Sequence, residues 1–322
     1  MTAMVARRLA AATVLVLLLG ACGGSGDSGA PSPDDLAVQV ASFDLATGRP
    51  TRFTVGLLTV DQRLLGYGTV DLRFSYVGTK ENANPQPFGP PVKASYLPIH
   101  GSVVPSPRPP APEIVHASDA RGVYAAQATF DKAGFWEVEA TAVIDGKARK
   151  GKGAFAVNQT NAVPAPGDQA LATETLTLTT PGVPPAAIDS RGGSGEIPDP
   201  DLHRTTIAAS LAARRPIVAV FATPVYCTSR FCGPVTDLVE ELAHQYADRA
   251  DFVHVEIWRD FRNQVVNKSA AEWLLRNDQL NEPWVFVIGS DGRITARFDN
   301  VVTREELEPL LKVLPVIGAA AP

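Results

Sequence analysis

An uninterrupted apolar run, Ile217-Val-Ala-Val-Phe221, leads into a loop that carries two of the chain's three cysteines, Cys227 and Cys232. The residues that follow place Val235, Leu238, Val239, Leu242, Ala243 and Tyr246 at the i, i+3, i+4, i+7 spacing of one helix face. A strand, a two-thiol loop and an amphipathic helix in that order constrain this half of the chain to an α/β arrangement with sulfur at a helix N-terminus. The unpaired amides of a helix N-terminus stabilise a thiolate, which is the nucleophile of disulfide exchange. A second thiol close by then resolves the mixed disulfide. The same spacing also suits a structural staple of an exported protein. The loop-entropy relation gives such a short loop only about 2 kcal/mol. Spacing alone leaves both readings open.

Arg7 and Arg8 precede an apolar run from Leu9 to Leu19, too short for a mature membrane span and patterned as a secretory signal over residues 1–21. It ends in Leu19-Gly20-Ala21-Cys22, which resembles the lipobox of bacterial lipoproteins, and that resemblance implies lipidation at Cys22. The Gly-, Ser- and Pro-rich stretch after it reads as a flexible tether to residue 36. With Cys22 acylated, Cys227 and Cys232 are the remaining thiols and must pair with each other or stay reactive. No later stretch of about 18 apolar residues reads as a span. A net charge of -5 with no clustered basic stripe argues against a nucleic-acid partner.

Residues 37–157 carry short alternating segments: 52–58, 69–76, 123–130, 135–143 and 154–157. Asp145-Gly146 is a hairpin signal before the last of them. The pattern predicts an antiparallel β-sandwich. The phrase Gly122-Val-Tyr, then Phe130-Asp-Lys-Ala-Gly-Phe-Trp136, resembles immunoglobulin-like domains of bacterial envelope proteins, with Trp136 in the core. The prolines from Pro85 to Pro112 suggest a long loop or extended excursion. His100 and His116 flank it without any metal-ligand spacing. Residues 158–200 read as a Pro/Gly-rich linker, with a short strand predicted at Thr175–Thr179.

The second domain, 201–315 with a tail at 316–322, reads βαβαββα: strand 216–222, helix 234–247, strand 252–258, helix 269–278, strands 284–288 and 293–298, helix 304–313. Ser269-Ala-Ala-Glu272 and Thr303-Arg-Glu-Glu306 are capping-box patterns, and Ser290-Asp-Gly292 is the turn of a hairpin. With its cysteine pair, Glu282-Pro283-Trp284 and the hairpin from Val285 to Arg293, this stretch resembles the thioredoxin superfamily, near the exported TlpA type.

That resemblance implies a cis peptide bond before Pro283, Cys227 as the exposed attacking thiol and Cys232 as the buried resolving one. It also implies extracytoplasmic protein thiols or disulfides as partners, and no cofactor. The chain departs from the family pattern in two respects. Thr228-Ser-Arg-Phe231 puts four residues between the cysteines where thioredoxins have two, and Phe221 stands where they bury a carboxylate. If Pro234 opens the helix, Cys232 becomes the thiol nearest its N-terminus and the two roles can exchange. Three residues are candidate modulators. His254 is a candidate proton relay, Glu282 would disfavour a nearby thiolate, and Arg230 would favour one. Two other readings remain: a non-enzymatic binding protein with a structural disulfide, and a copper chaperone using soft sulfur ligands with one of His203, His244 or His254.

Overall fold

Alternation of apolar and polar residues builds the N-terminal sheet of the protein, whose computed structural model describes residues 35–116 and 121–317. The expected signal segment, Cys22, most of the tether and the tail from residue 318 lie outside the described residues. Nine strands form one antiparallel sheet: β1 (Leu36–Val40), β2 (Thr51–Thr59), β3 (Leu64–Gly66), β4 (Thr69–Gly78), β5 (Val92–Pro98), β6 (Glu113–Val115), β7 (Gly122–Ala128), β8 (Gly134–Ile144) and β9 (Lys147–Val157). Their order is β6-β3-β2-β7-β5-β4-β8-β9, with β1 on β2. The sheet curls until β1 meets β9, where Asp35 bridges Lys150. A Cβ on Gly151 would stand 2.0 Å from the Leu36 carbonyl, so that approach requires glycine.

Inward-facing rings fill the curl. Phe53 lies 4.9 Å from both Phe74 and Phe155 between centroids, and Phe130 lies 5.1 Å from Trp136, mostly edge to face. Asp145 and Gly146 both adopt positive φ at the β8–β9 turn, as a two-residue hairpin of the favoured twist requires. The expected sandwich of two facing sheets is corrected here, because hydrogen bonds join every strand into one sheet. The joint is β5, which lies within the proline-rich stretch read as an excursion and pairs with both β4 and β7.

A second sheet follows. In chain order its elements are α1 (Ile207–Ala212), β10 (Ile217–Ala222), α2 (Cys232–Tyr246), β11 (Asp251–Glu256), β12 (Trp258–Asp260), β13 (Val265–Val266), α3 (Lys268–Leu274), β14 (Trp284–Ile288), β15 (Ile294–Asp299) and α4 (Arg304–Lys312). The sheet order is β11-β10-β14-β15, with β10 parallel to β11 and antiparallel to β14, while β12 and β13 form a separate small hairpin. Every β10 side chain is buried because both faces are covered. Val218, Val220 and Ala222 pack with α2 and α4, while Ile217, Ala219 and Phe221 pack with α1 and α3. The Thr303–Glu306 capping box forms. The Ser269–Glu272 box does not: α3 starts at Lys268 with Asn267 as its N-cap, and Ser269 is buried inside the helix. Among the described residues no helix is long and apolar enough to cross a membrane.

Both edges of this sheet are braced. On β15, Phe43 N–H donates to Asp299 (2.6 Å), Asn300 Nδ2 donates to the Ala41 carbonyl (2.8 Å), and Arg297 Nη1 bonds Asp44 (2.9 Å). Arg52 of β2 reaches across to Glu306 (2.8 Å) and the Val301 carbonyl (2.7 Å). Next to β11 the stretch read as a linker folds into 3-10 turns at Pro185–Ala187, Ser190–Ser194 and Pro200–His203, with Asp189, Asp199 and His203 buried. No strand forms at 175–179.

The Arg52 contact has a testable weight. Burial raises the pKa of Asp299 and Arg52 opposes that, so Arg52→Ala leaves a buried carboxylate with less compensation. We expect a loss of about 2–3 kcal/mol, read as a lower denaturant midpoint at unchanged slope.

Candidate functional site

The buried strand β10 ends at Ala222, and the nine residues before α2 carry the first cysteine over the top of the sheet. Cys227 and Cys232 form a disulfide with Cα atoms 6.0 Å apart. Cys227 is half-buried and its sulfur lies 3.2 Å from Ser229 Oγ, whereas Cys232 is fully buried among Val220, Ala222, Val235 and Leu238. Helix α2 begins two residues earlier than its proline suggests. Phe231 is the N-cap and Cys232 the first helical residue, with Pro234 in the first turn, where a missing N–H costs nothing. The buried sulfur is therefore the one at the helix N-terminus.

Glu282 and Pro283, joined by a cis peptide bond, enter β14 beside this pair. The Glu282 carboxyl lies 3.5 Å from Cys232 Sγ and accepts the Thr223 N–H at 2.6 Å. Burial pushes Glu282 up to about 8. The Thr223 N–H works against that shift, Glu256 adds to it and the charge of His254 opposes it. Near neutral pH the group is thus a carboxylic acid with a proton to give, in contact with the buried sulfur. Arg230 is exposed in the left-handed region at φ 63° and makes no ion pair with the described residues, so nothing here ties it to the sulfurs.

His254 sits on β11 beneath the loop, wholly buried, and its Nε2 donates to the Ala222 carbonyl at 3.1 Å. Its Nδ1 lies 3.3 Å from Asp189 and 3.8 Å from Asp199, ion-pair contacts rather than well-aligned hydrogen bonds. His203 Nε2 donates to Asp199 at 3.2 Å, and Arg191 Nη2 donates to Asp189 and Asp199 at 2.8 and 2.6 Å. Burial would lower His254, but contact with Asp189 and the charges of Asp189, Asp199 and Glu256 outweigh it and lift the ring to about 9. Asp189 moves the other way. Its burial would raise it, yet the adjacent His203 and His254 rings and the hydrogen bonds from Arg191 hold it far below the usual carboxylate range. The same segment anchors the cysteine loop, since Ser190 Oγ accepts the Val225 N–H at 3.2 Å and Ser190 N–H donates to Glu256 at 2.7 Å.

Two groups of donor atoms lie within 4.8 Å of one another in the manner of metal ligands: Cys227, Cys232 and Glu282, and Asp189, Asp199, His203 and His254. In the first the sulfurs are bonded to each other. In the second the Arg191 guanidinium already holds both carboxylates. We assign neither as a metal site. A cleft of about 710 Å³ opens between the two sheets, lined by Arg49, Arg52, Trp284, Arg297 and Asp299 among others, and neither cysteine lines it. Sequence reading reached Cys227, Cys232, Glu282, Pro283 and His254 but missed Asp189, Arg191 and Asp199. The signal available for them was a set of charged residues in a Pro/Gly-rich stretch with few apolar neighbours.

A carboxyl whose pKa rises on folding contributes stability that is complete below its unfolded value, about 4.3, and is lost as pH climbs through the folded value. For Glu282 that loss runs from about pH 4.5 to about 8. Glu282→Gln keeps an acceptor for Thr223 and has no charge to bury. We therefore expect its melting temperature to gain on the wild type steadily across that window and to run parallel above it. A constant offset at every pH would contradict the assignment. No protein-family model matches the chain, and no curated protein matches it either.

Proposed function

We propose that this protein is a thiol–disulfide oxidoreductase, acting on protein thiols or disulfides outside the cytoplasmic membrane and tethered there through Cys22. In this reading the second sheet with its helices is a thioredoxin-like fold. The first sheet, one curled antiparallel sheet around an aromatic core, is a spacer or docking module. The observation that carries the proposal is the asymmetry of the pair. Cys227 is reachable, while Cys232 is sealed at the first turn of α2 with the protonated Glu282 carboxyl 3.5 Å from its sulfur. A staple has no need of an acid held against one sulfur at the cost of burying it.

In the oxidising direction a substrate thiolate attacks Cys227 Sγ and the Cys227–Cys232 bond breaks. Its electron pair goes to Cys232, which takes the proton of Glu282. A second substrate thiolate then attacks the substrate sulfur of the mixed disulfide, and Cys227 leaves as thiolate. The substrate dithiol has become a disulfide and the pair has gained two electrons. Run in reverse, Cys227 thiolate attacks a substrate disulfide and Glu282 accepts the proton of Cys232 as that sulfur closes the ring. In both directions the carboxyl spares Cys232 from standing as a buried, unpaired thiolate.

Single-cysteine variants test this. Cys232→Ser is expected to accumulate a mixed disulfide through Cys227 with a disulfide-containing peptide, visible by mass and released by dithiothreitol. Cys227→Ser, left with the buried thiol, is expected to react at least about 100-fold more slowly. Equal reactivity of the two variants, or no adduct with either, would overturn the assigned roles.

A further inference from the structure

The carbonyl of Ala222 and the N–H of Thr223 belong to one peptide unit, and the two ends of that unit face two different buried ionisable groups. Its carbonyl accepts from His254 Nε2 at 3.1 Å, and its N–H donates to Glu282 at 2.6 Å. We propose that His254, clamped by Asp189 and Asp199 from the segment before the second sheet, is a positioning residue that acts on Cys232 through this peptide and Glu282. The inference rests on the redox reading of the pair and adds what governs its proton.

A carbonyl only accepts, so His254 Nε2 must carry hydrogen, and Nδ1 faces the Asp189 and Asp199 carboxylates at 3.3 and 3.8 Å. A neutral ring would then turn a lone pair toward two acids in a wholly buried site, which is costly unless Nδ1 is also protonated. The ring is therefore held as imidazolium. Around it stand Asp189, Asp199, Arg191 and His203 from the 3-10 segment, Glu256 on its own strand, and Glu282 across β10. From α2, Asp237 pairs with Arg191 at 3.1 Å, and Asp237 and Glu240 both lie within reach of the Asp199 charge.

A cation donating to the peptide carbonyl polarises the whole amide, so its N–H becomes a stronger donor to the group at the other end. That group is Glu282. The imidazolium therefore favours the ionised form of Glu282, both by its charge and along the bonded chain, and so sets the pH above which the carboxyl has no proton for Cys232. The segment that composition marks as a linker thereby holds the proton balance of the cysteine pair, and through Ser190 it also anchors the loop that carries Cys227.

The test reads the proton on Glu282 rather than turnover, so it remains informative if the pair proves redox-inert. The infrared carbonyl band of the protonated acid, taken as wild type minus Glu282→Gln, is followed against pH in the full chain. His254→Gln keeps a donor for Ala222 but no charge, and Asp189→Asn removes an anion that holds the ring's proton. Both are expected to move the Glu282 midpoint upward, by about half to one unit in His254→Gln. A structural role predicts lower stability with an unmoved midpoint, and that outcome overturns the proposal. Should the variants fail to fold, ring nitrogen shifts of His254 in the wild type decide it. Both nitrogens protonated at pH 7 is the expected result, and a neutral ring refutes the proposal.

Discussion

A carboxyl group held in a dry place beside a sulfur is the constraint on which the site depends. Glu282 is buried by the entry of β14, with its oxygen shared between the Thr223 N–H and the neighbourhood of Cys232. Water would offer that group a better home when ionised, so the fold has to over-determine its position. It does so by making Thr223 the first residue past β10, a strand whose side chains are all buried and which pairs on both sides. The N–H that fixes Glu282 is thus as immobile as the centre of the sheet.

The rest of the molecule keeps that sheet in place. A four-stranded sheet has two edges, and exposed edges invite unwanted pairing. On one side Phe43, Asp44 and Arg52 cover β15 through hydrogen bonds and ion pairs to Asp299, Arg297 and Glu306. On the other, the 3-10 turns bring Asp189, Asp199 and His203 against β11 and His254. Arg108 and His100 extend the bracing from the first sheet to Glu305 on α4 and Glu241 on α2. The site therefore draws on both halves of the chain, although its sulfur chemistry is confined to one loop.

Much of this was legible where burial imposes a period. The all-apolar run before Cys227 announced β10, and alternation announced β2, β4, β7 and β8, since side chains in those segments meet a core on a repeating schedule. Where burial follows no period, the sequence misled. Strand β5 was hidden because prolines flank it, and with it went the link that turns a two-sheet pattern into one curled sheet. The N-terminal half of β9 was hidden by its Lys and Arg residues, which face outward or lie against Glu137 and Glu139. The capping box at Ser269 failed because Asn267 begins the helix earlier. Asp189, Arg191 and Asp199 were missed for a different reason. Besides one another and His203, their partners lie on β11 and α2, and those pairings do not show in the spacing of residues 189–203. Glu282 was singled out only through its place before Pro283, and its contact with the buried sulfur is a tertiary fact that residue spacing does not carry.

The central claim is that Cys227 and Cys232 exchange electrons with other thiols rather than hold the loop closed. The reduction potential of the pair, obtained by equilibrating the protein with a thiol buffer and alkylating the free sulfurs, tests it most directly. The account predicts a value between about -270 and -120 mV, the range of working dithiol proteins. A value well below about -300 mV would mark a structural disulfide and contradict the account.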